Sequence, residues 1–368
     1  MRVARYNYAH QHVGDVQDLS ATLATMITTG DHLLGPRVET FERNFARYLG
    51  VEHVIGVNSG TDAILLSLMA LGIGPGDEVI TQANTFHATV AAICLAGAQP
   101  VLVDADPVSF LMDQSQVAHA ITSCTRAIIP VHLFGKPTPM ADLLQLARRH
   151  ALVLVEDAAQ AHGAGRDGCM AGTAGSAGCF SFHPSKNLAA AGDAGAIATN
   201  DADLAASLRT RRALGQATQN HHVAVGLNSK LDAIQAHVLD QKLPHLTHWN
   251  RARACMAAAY RARLADTPLV FQSVDSDECH VFHLMQVRTP RRDALLNWLT
   301  ERDIEAAVRY PVPIHLQPAF AHLGLAQGMF PVAEVLADEL LCLPIRPDLS
   351  EDEVDYVSDC IHAFFREE

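Results

Sequence analysis

The sequence has no CxxC pair, although eight cysteines (Cys94, Cys124, Cys169, Cys179, Cys255, Cys279, Cys342 and Cys360) are scattered along its 368 residues. That spacing argues against a disulfide framework or a cysteine-based zinc site. It suits small core residues in a reducing, cytoplasmic compartment. Long apolar runs are missing too. No stretch reaches the roughly 18 residues of a membrane span, so no membrane partner is expected. The opening MRVARYNYAHQHVGDV has no apolar core and does not read as a secretory signal. Basic charge is scarce: 27 basic side chains stand against 40 acidic ones, a net charge of −13. A nucleic-acid-binding face is therefore not expected. An anionic substrate would have to be met by local positive groups working against that field. Internal repeats and low-complexity tracts are absent. Histidine is plentiful, at 20 residues, but the pair in NHHV is adjacent rather than four apart on a helix, so no metal is expected.

What is present is apolar and alternating. Hydrophobic residues make up 49% of the chain, enough for a sizeable core. The length suits a large domain plus a smaller one. From about residue 50 to 240 the runs HVIGV, EVITQ, QPVLVDA, RAIIPVHLF, ALVLVEDAA and GAIATN alternate with the helical stretches TDAILLSLMALG, FHATVAAICLAG and MADLLQLARRHA. The runs read as strands buried on both faces. The alternation predicts an α/β domain with a mostly parallel sheet and right-handed crossovers. GPGDEV and FGKPTP supply turns. LDAIQAHVLDQKLPHLTHWNRARACMAAAYRARLAD is a long amphipathic stretch in which Pro244 should kink or reset the helix. Beyond it HVFHLMQVRT reads as a strand, and RRDALLNWLTERDI and SEDEVDYVSDCIHAFFREE as helices. The expected division is an N-terminal segment over residues 1–30 packing outside the large domain, the large domain over 31–245, and a small α+β domain over 246–368.

Four stretches place polar groups where strands end. In GVNSGTDAILLSL a helix starts near Thr61, and Gly60 permits close backbone approach. The free N–H groups of a helix start form an anion site, although the same residues also read as a plain N-cap. In QANTFHATV, Phe86 opens a helix, where its ring either lies on a planar ligand or fills the core. Asp157 directly follows LVLVE. A carboxylate at that depth needs a cationic or protonated partner, unless it caps the next helix. Gln160, three residues on, can reach the same pocket. In FSFHPSKNLAAAGDAGAI, Ser181 precedes Lys186, which sits among small and apolar residues. That lysine is either a loop charge or an amine kept close to something that reacts with it. Together these describe one pocket: an anion site, an aromatic plate, a buried carboxylate and a lysine. Pyridoxal phosphate suits that inventory, with its phosphate on the helix start, its ring nitrogen on Asp157 and its aldehyde in a Schiff base with Lys186.

NSGTDA, VEDAAQAHGA, FSFHPSKNL…GDAGA, GLNSKLDAIQA and YPVPIHLQPAF, in that order, resemble the DegT/DnrJ/EryC1/StrS family of sugar aminotransferases. These are fold-type I enzymes dependent on pyridoxal phosphate. The likeness runs from about LLGPRVETFE to CLPIRPDL. It implies a large domain with a mostly parallel mixed sheet, a smaller C-terminal α+β domain, and pyridoxal 5′-phosphate as cofactor. It implies Lys186 as the Schiff-base lysine, Asp157 on the pyridine nitrogen and Gln160 near the ring's 3-oxygen. Phe86 would lie over the ring, and Gly60, Thr61 and Ser181 would hold the phosphate. Asn228 would reach the phosphate of a neighbouring subunit, which makes the active protein a homodimer with shared sites.

The implied reaction moves an amino group from L-glutamate to a nucleotide-linked keto-sugar. KNL…GDAG resembles the branch acting on 3-keto sugars. A 4-keto nucleotide sugar or a keto-inositol is the alternative acceptor, and a regulatory protein that keeps the fold is the non-enzymatic alternative. A lysine rather than a histidine at position 186 argues against the related sugar dehydratases. His183, Tyr310 and His315 are candidate sugar contacts. Two positions depart from the family pattern. Lys230 replaces an arginine, keeping the charge but losing the fork geometry. Arg309 stands before YPVPIH, where many members carry histidine.

Overall fold

The computed structural model describes residues 1–11 and 16–367. Residues 12–15, inside the expected N-terminal segment, and Glu368, in the expected small domain, lie outside the described residues. The apolar runs form a seven-stranded sheet: β1 (His53–Val57), β2 (Glu78–Gln82), β3 (Gln99–Val103), β4 (Thr125–Ile129), β5 (Val153–Asp157), β6 (Ala177–Ser181) and β7 (Gly195–Thr199). Their spatial order is β1-β7-β6-β5-β4-β2-β3. From β6 through β3 every neighbouring pair is parallel. β7 runs antiparallel to both β6 and β1, so the sheet is mixed. Its direction has a simple cause. Residues 182–194 between β6 and β7 contain no crossover helix, and parallel neighbours need one.

Helices cover both faces, as strands buried on two sides require. On one face α1 (Gly35–Leu49) turns its apolar stripe inward. Phe41 and Phe45 meet Phe180 and Phe182 edge to face, with centroids 5.2–5.4 Å apart. Each such ring contributes about 1.5–3 kcal/mol of burial. On the other face lie α2 (Gly60–Ala70) and α3 (His87–Leu95), whose apolar residues merge with those of β1, β2, β4 and β6. α4 (Ala233–Lys242) packs on α1. A 3₁₀ turn, Leu243–His245, holds Pro244 and resets the chain into α5 (Leu246–Arg263).

The C-terminal part is built on β8 (Val270–Phe271), β9 (Met285–Arg288) and β10 (Leu340–Leu343), an antiparallel sheet in the order β8-β9-β10. Helix Glu351–Arg366 and α5 pack over it. The expected strand across HVFHLMQVRT is shorter than its apolar pattern suggests. Phe282 takes φ 43°. The residues before β9 bond instead to the loop after β4, Val281 N to Gly135 O at 3.0 Å and Leu284 N to Phe134 O at 3.3 Å. At the other terminus Val3 bridges to Ile304, and helix Val16–Thr29 packs against α4. Among the described residues no helix is long and apolar enough to cross a membrane.

Candidate active site

The carboxyl ends of β1, β5 and β6 open onto one cleft of about 520 Å³, the place where open α/β sheets hold ligands. Its floor is the turn into α2. Ser59 caps that helix, its Oγ accepting from Asp62 N at 3.1 Å. The N–H groups of Gly60 and Thr61 donate to nothing among the described residues, and both residues line the cleft. They form the positive end of a helix facing the cleft, an arrangement suited to an anion. The turn lies directly on the strands. A Cβ added at Gly60 would come 2.7 Å from Ser181 Cβ, and one at Gly195 would come 2.4 Å from the Ser59 carbonyl carbon. A side chain at either position would fill the cradle.

Asp157, the last residue of β5, is buried. Its Oδ2 accepts from Thr89 Oγ1 at 2.7 Å, and its Oδ1 accepts from Ala159 N at 3.1 Å. Thr85 and Thr89 hydroxyls are 2.9 Å apart. A carboxylate only accepts, so the Thr89 hydroxyl donates its hydrogen bond to Asp157 and Thr85 donates to Thr89. The carboxylate is thus fixed from the first turn of α3. No helix follows Asp157, so the capping alternative does not apply. Gln160 is also buried. Its Oε1 accepts from Phe134 N and its Nε2 donates to Tyr310 Oη, both at 2.8 Å. Phe134 and Tyr310 both take positive φ, 63° and 58°, an uncommon choice for aromatic residues. The Tyr310 ring lies 5.5 Å from that of Phe86, which is 49% exposed at the cleft wall rather than in the core.

Lys186 is half-buried on the loop between β6 and β7. Its Nζ makes no hydrogen bond among the described residues. Burial pulls its ammonium down to about 8. The Asp157 carboxylate opposes that pull and the Arg309 guanidinium adds to it. His183 sits at the rim, its Nδ1 2.9 Å from Ser185 Oγ. Arg309 reaches in from the C-terminal part, held by Tyr6 Oη at 3.0 Å. It places a local positive charge at the cleft of an acidic chain.

One expected residue, His315, does not line this cleft. Its side chain is fully buried, with Nε2 2.9 Å from Glu334 Oε1 and the ring 4.8 Å from that of Phe330. Asn228, expected to reach the phosphate of a neighbouring subunit, is exposed, and its side chain accepts from Lys230 Nζ. Its neighbour Ser229 is the buried one, accepting from Asn58 N at 3.1 Å and donating to Asp62 Oδ2 at 2.7 Å. Sequence reasoning missed Ser229, Thr89 and His283, which also lines the cleft. Thr89 was detectable, since it stands one helical turn after Phe86. His283 sits in an apolar run that offers no such signal.

The donor set suits pyridoxal phosphate. Open helix amides and Ser181 match a phosphate, a carboxylate fixed by Thr89 matches a protonated ring nitrogen, and an unengaged amine matches an aldehyde. Comparison with known proteins agrees. The DegT/DnrJ/EryC1/StrS aminotransferase family profile matches residues 15–362. A pleiotropic regulatory protein of Geobacillus stearothermophilus is 43% identical over 370 residues, covering 100% of this chain and 99% of that one. The dTDP-3-amino-3,4,6-trideoxy-α-D-glucose transaminase of Streptomyces venezuelae is 44% identical over 348 residues, covering 94% of this chain and 92% of that one. The crystal structure of S. venezuelae DesV in complex with a ketimine intermediate superposes with a TM-score of 0.95 at 43% identity, covering 99% of this chain and 98% of that one.

Proposed function

The chain belongs to the DegT/DnrJ/EryC1/StrS aminotransferase family, and from that premise we propose that it moves an amino group from L-glutamate to C3 of a nucleotide-linked keto-sugar, as a cytoplasmic homodimer. It is an aminotransferase, and its cofactor is pyridoxal 5′-phosphate. The observation that carries the choice of C3 is the 44% identity, over 94% of the chain, to a transaminase named for a 3-amino sugar.

When bound, the coenzyme would supply a sink for the electron pair left when the donor's Cα loses its proton. The amides of Gly60 and Thr61, with Ser181, would hold the phosphate. Asp157, fixed by Thr89, would keep a proton on the ring nitrogen, because an adjacent negative charge favours the protonated form. Lys186 would take the proton from the donor's Cα and deliver it, on the same face, to the coenzyme carbon that carried the aldehyde. An amine whose ammonium has been brought to about 8 can do both near neutral pH. Arg309 is the group for the anionic end of donor or acceptor. The homodimer reading is supported by Leu214, Val223 and Val225, exposed together around the hairpin that precedes Asn228, since apolar surface of that kind suits a second copy. The cytoplasmic reading is supported by eight cysteines that are all free.

The test is an acceptor panel. The aminated coenzyme form of the enzyme is offered dTDP- and UDP-linked 3-keto and 4-keto sugars, and return of the aldehyde-form absorbance is followed. The 3-keto sugars should react at least about tenfold faster. Equal or faster reaction of the 4-keto sugars would overturn the C3 reading. Silence towards both, with the glutamate half-reaction intact, would overturn the acceptor class.

A further inference from the structure

Residues 3–7 are fastened along the C-terminal part. Val3 N donates to Asp303 O and Glu305 N donates to Val3 O, both at 2.9 Å. Arg5 N donates to Glu305 Oε2 at 3.1 Å. Ala4 O accepts from Arg346 Nη1, and Asn7 Nδ2 donates to Asp348 Oδ2, both at 2.7 Å. Tyr6 is therefore held from both sides along the chain. Its ring stacks on that of Tyr8, with centroids 5.5 Å apart, and Arg5 Cζ lies 4.9 Å from its centroid. Its Oη meets two guanidinium groups, Arg309 Nη2 at 3.0 Å and Arg5 Nη2 at 3.2 Å. Guanidinium nitrogens only donate, so the phenol oxygen accepts from both.

Arg309 lines the cleft, and its hydrogen bond to Tyr6 is the one its side chain makes among the described residues. Neither Arg309 nor Arg5 forms a side-chain ion pair among those residues. Arg212 and Arg346 differ: the first meets Glu42, and the second meets Asp348 and Glu353. Two like charges brought to one oxygen repel each other, and an anion beside them relieves that. The charge of Arg309 also reaches Lys186, whose ammonium it helps to lower. A long side chain loses rotamer freedom when it grips a ligand. A guanidinium already anchored has met part of that cost before the ligand arrives. We propose that Tyr6 is a positioning residue for Arg309: through it the N-terminal segment holds the guanidinium at the cleft, and the N–H groups that Tyr6 does not take seat an oxyanion of the substrate. That oxyanion is the donor's carboxylate or the acceptor's diphosphate.

This rests on the reading of Arg309 as the group for a substrate's anionic end, and its test needs no turnover. Calorimetry measures the binding of two unreactive probes to the holoenzyme: glutarate for the donor, and the better bound of dTDP and UDP for the acceptor. Tyr6→Phe keeps the stacked ring and removes the oxygen. It should weaken one probe by about tenfold and leave the other unchanged. Weaker glutarate assigns the oxyanion to the donor, and weaker nucleotide assigns it to the acceptor; either supports the proposal. Tyr6→Phe added to Arg309→Ala should weaken that probe no further, because Tyr6 acts through Arg309. A merely structural role for Tyr6 would not give that result. The proposal is overturned if Tyr6→Phe leaves both probes unchanged, weakens both alike, or has the same effect once Arg309 is gone. Wild-type holoenzyme that binds neither probe overturns the reading of Arg309 as well, whereas wild-type binding unmoved by Tyr6→Phe overturns the role of Tyr6 alone.

Discussion

Lys136 and Lys186 are both withdrawn from water on loops that follow strands of the same sheet, and they are treated in opposite ways. Lys136 is 1% exposed. Its Nζ meets Glu278 Oε1 and Oε2 at 2.6 and 2.7 Å, Ser273 O at 3.0 Å and Asp275 Oδ2 at 3.5 Å. Arg166 joins the same carboxylates at 2.8 and 3.3 Å. Lys186 has a carboxylate in its neighbourhood but no hydrogen bond, and its ammonium is brought to about 8. Lys242 is intermediate. It is 2% exposed, makes one hydrogen bond to Ala189 O at 2.8 Å, and burial brings it to about 8. Withdrawing an ammonium from water is unfavourable unless partners replace the solvent. Lys136 is fully repartnered and so is part of the scaffold. Lys186 is left short of partners, as the role proposed for it requires.

Substitution should separate the two sites. Lys186→Ala should lower transamination by at least about 10⁴-fold while the coenzyme still binds through the phosphate cradle and Asp157. Turnover assays together with equilibrium coenzyme binding check this, and wild-type rates would break the contrast. Lys136→Met should do the reverse. It leaves the Glu278 side chain, 0% exposed, without its main partner, so stability should fall by about 3 kcal/mol. Turnover per folded molecule should change little. Lys242→Met, read in the same denaturant titrations, should stay within about 1 kcal/mol, because it removes a buried charge together with a single hydrogen bond.

Much of this contrast could be read from the sequence because the signals were local. Apolar runs of five residues mark strands. NSGTDA marks a strand-to-helix turn, and a carboxylate or lysine set among apolar residues marks itself. What could not be read was set by distant partners. The antiparallel course of β7 depends on the loop before it lacking a helix, not on GAIATN. His315 lies in a motif rich in polar residues, yet Glu334 and Phe330, brought alongside by the fold, draw it away from the cleft. His283 looks like a core residue in HVFHLMQVRT. Its place on the cleft wall depends on Asn187, 96 positions earlier, whose Oδ1 lies 3.2 Å from its Nδ1.

The most direct measurement of the central claim is to reduce the holoenzyme with borohydride and map which lysine then carries the coenzyme. The account predicts the label on the peptide FSFHPSKNLAAA, at Lys186 alone. Label on Lys136 or Lys242, or coenzyme released unattached, would contradict it.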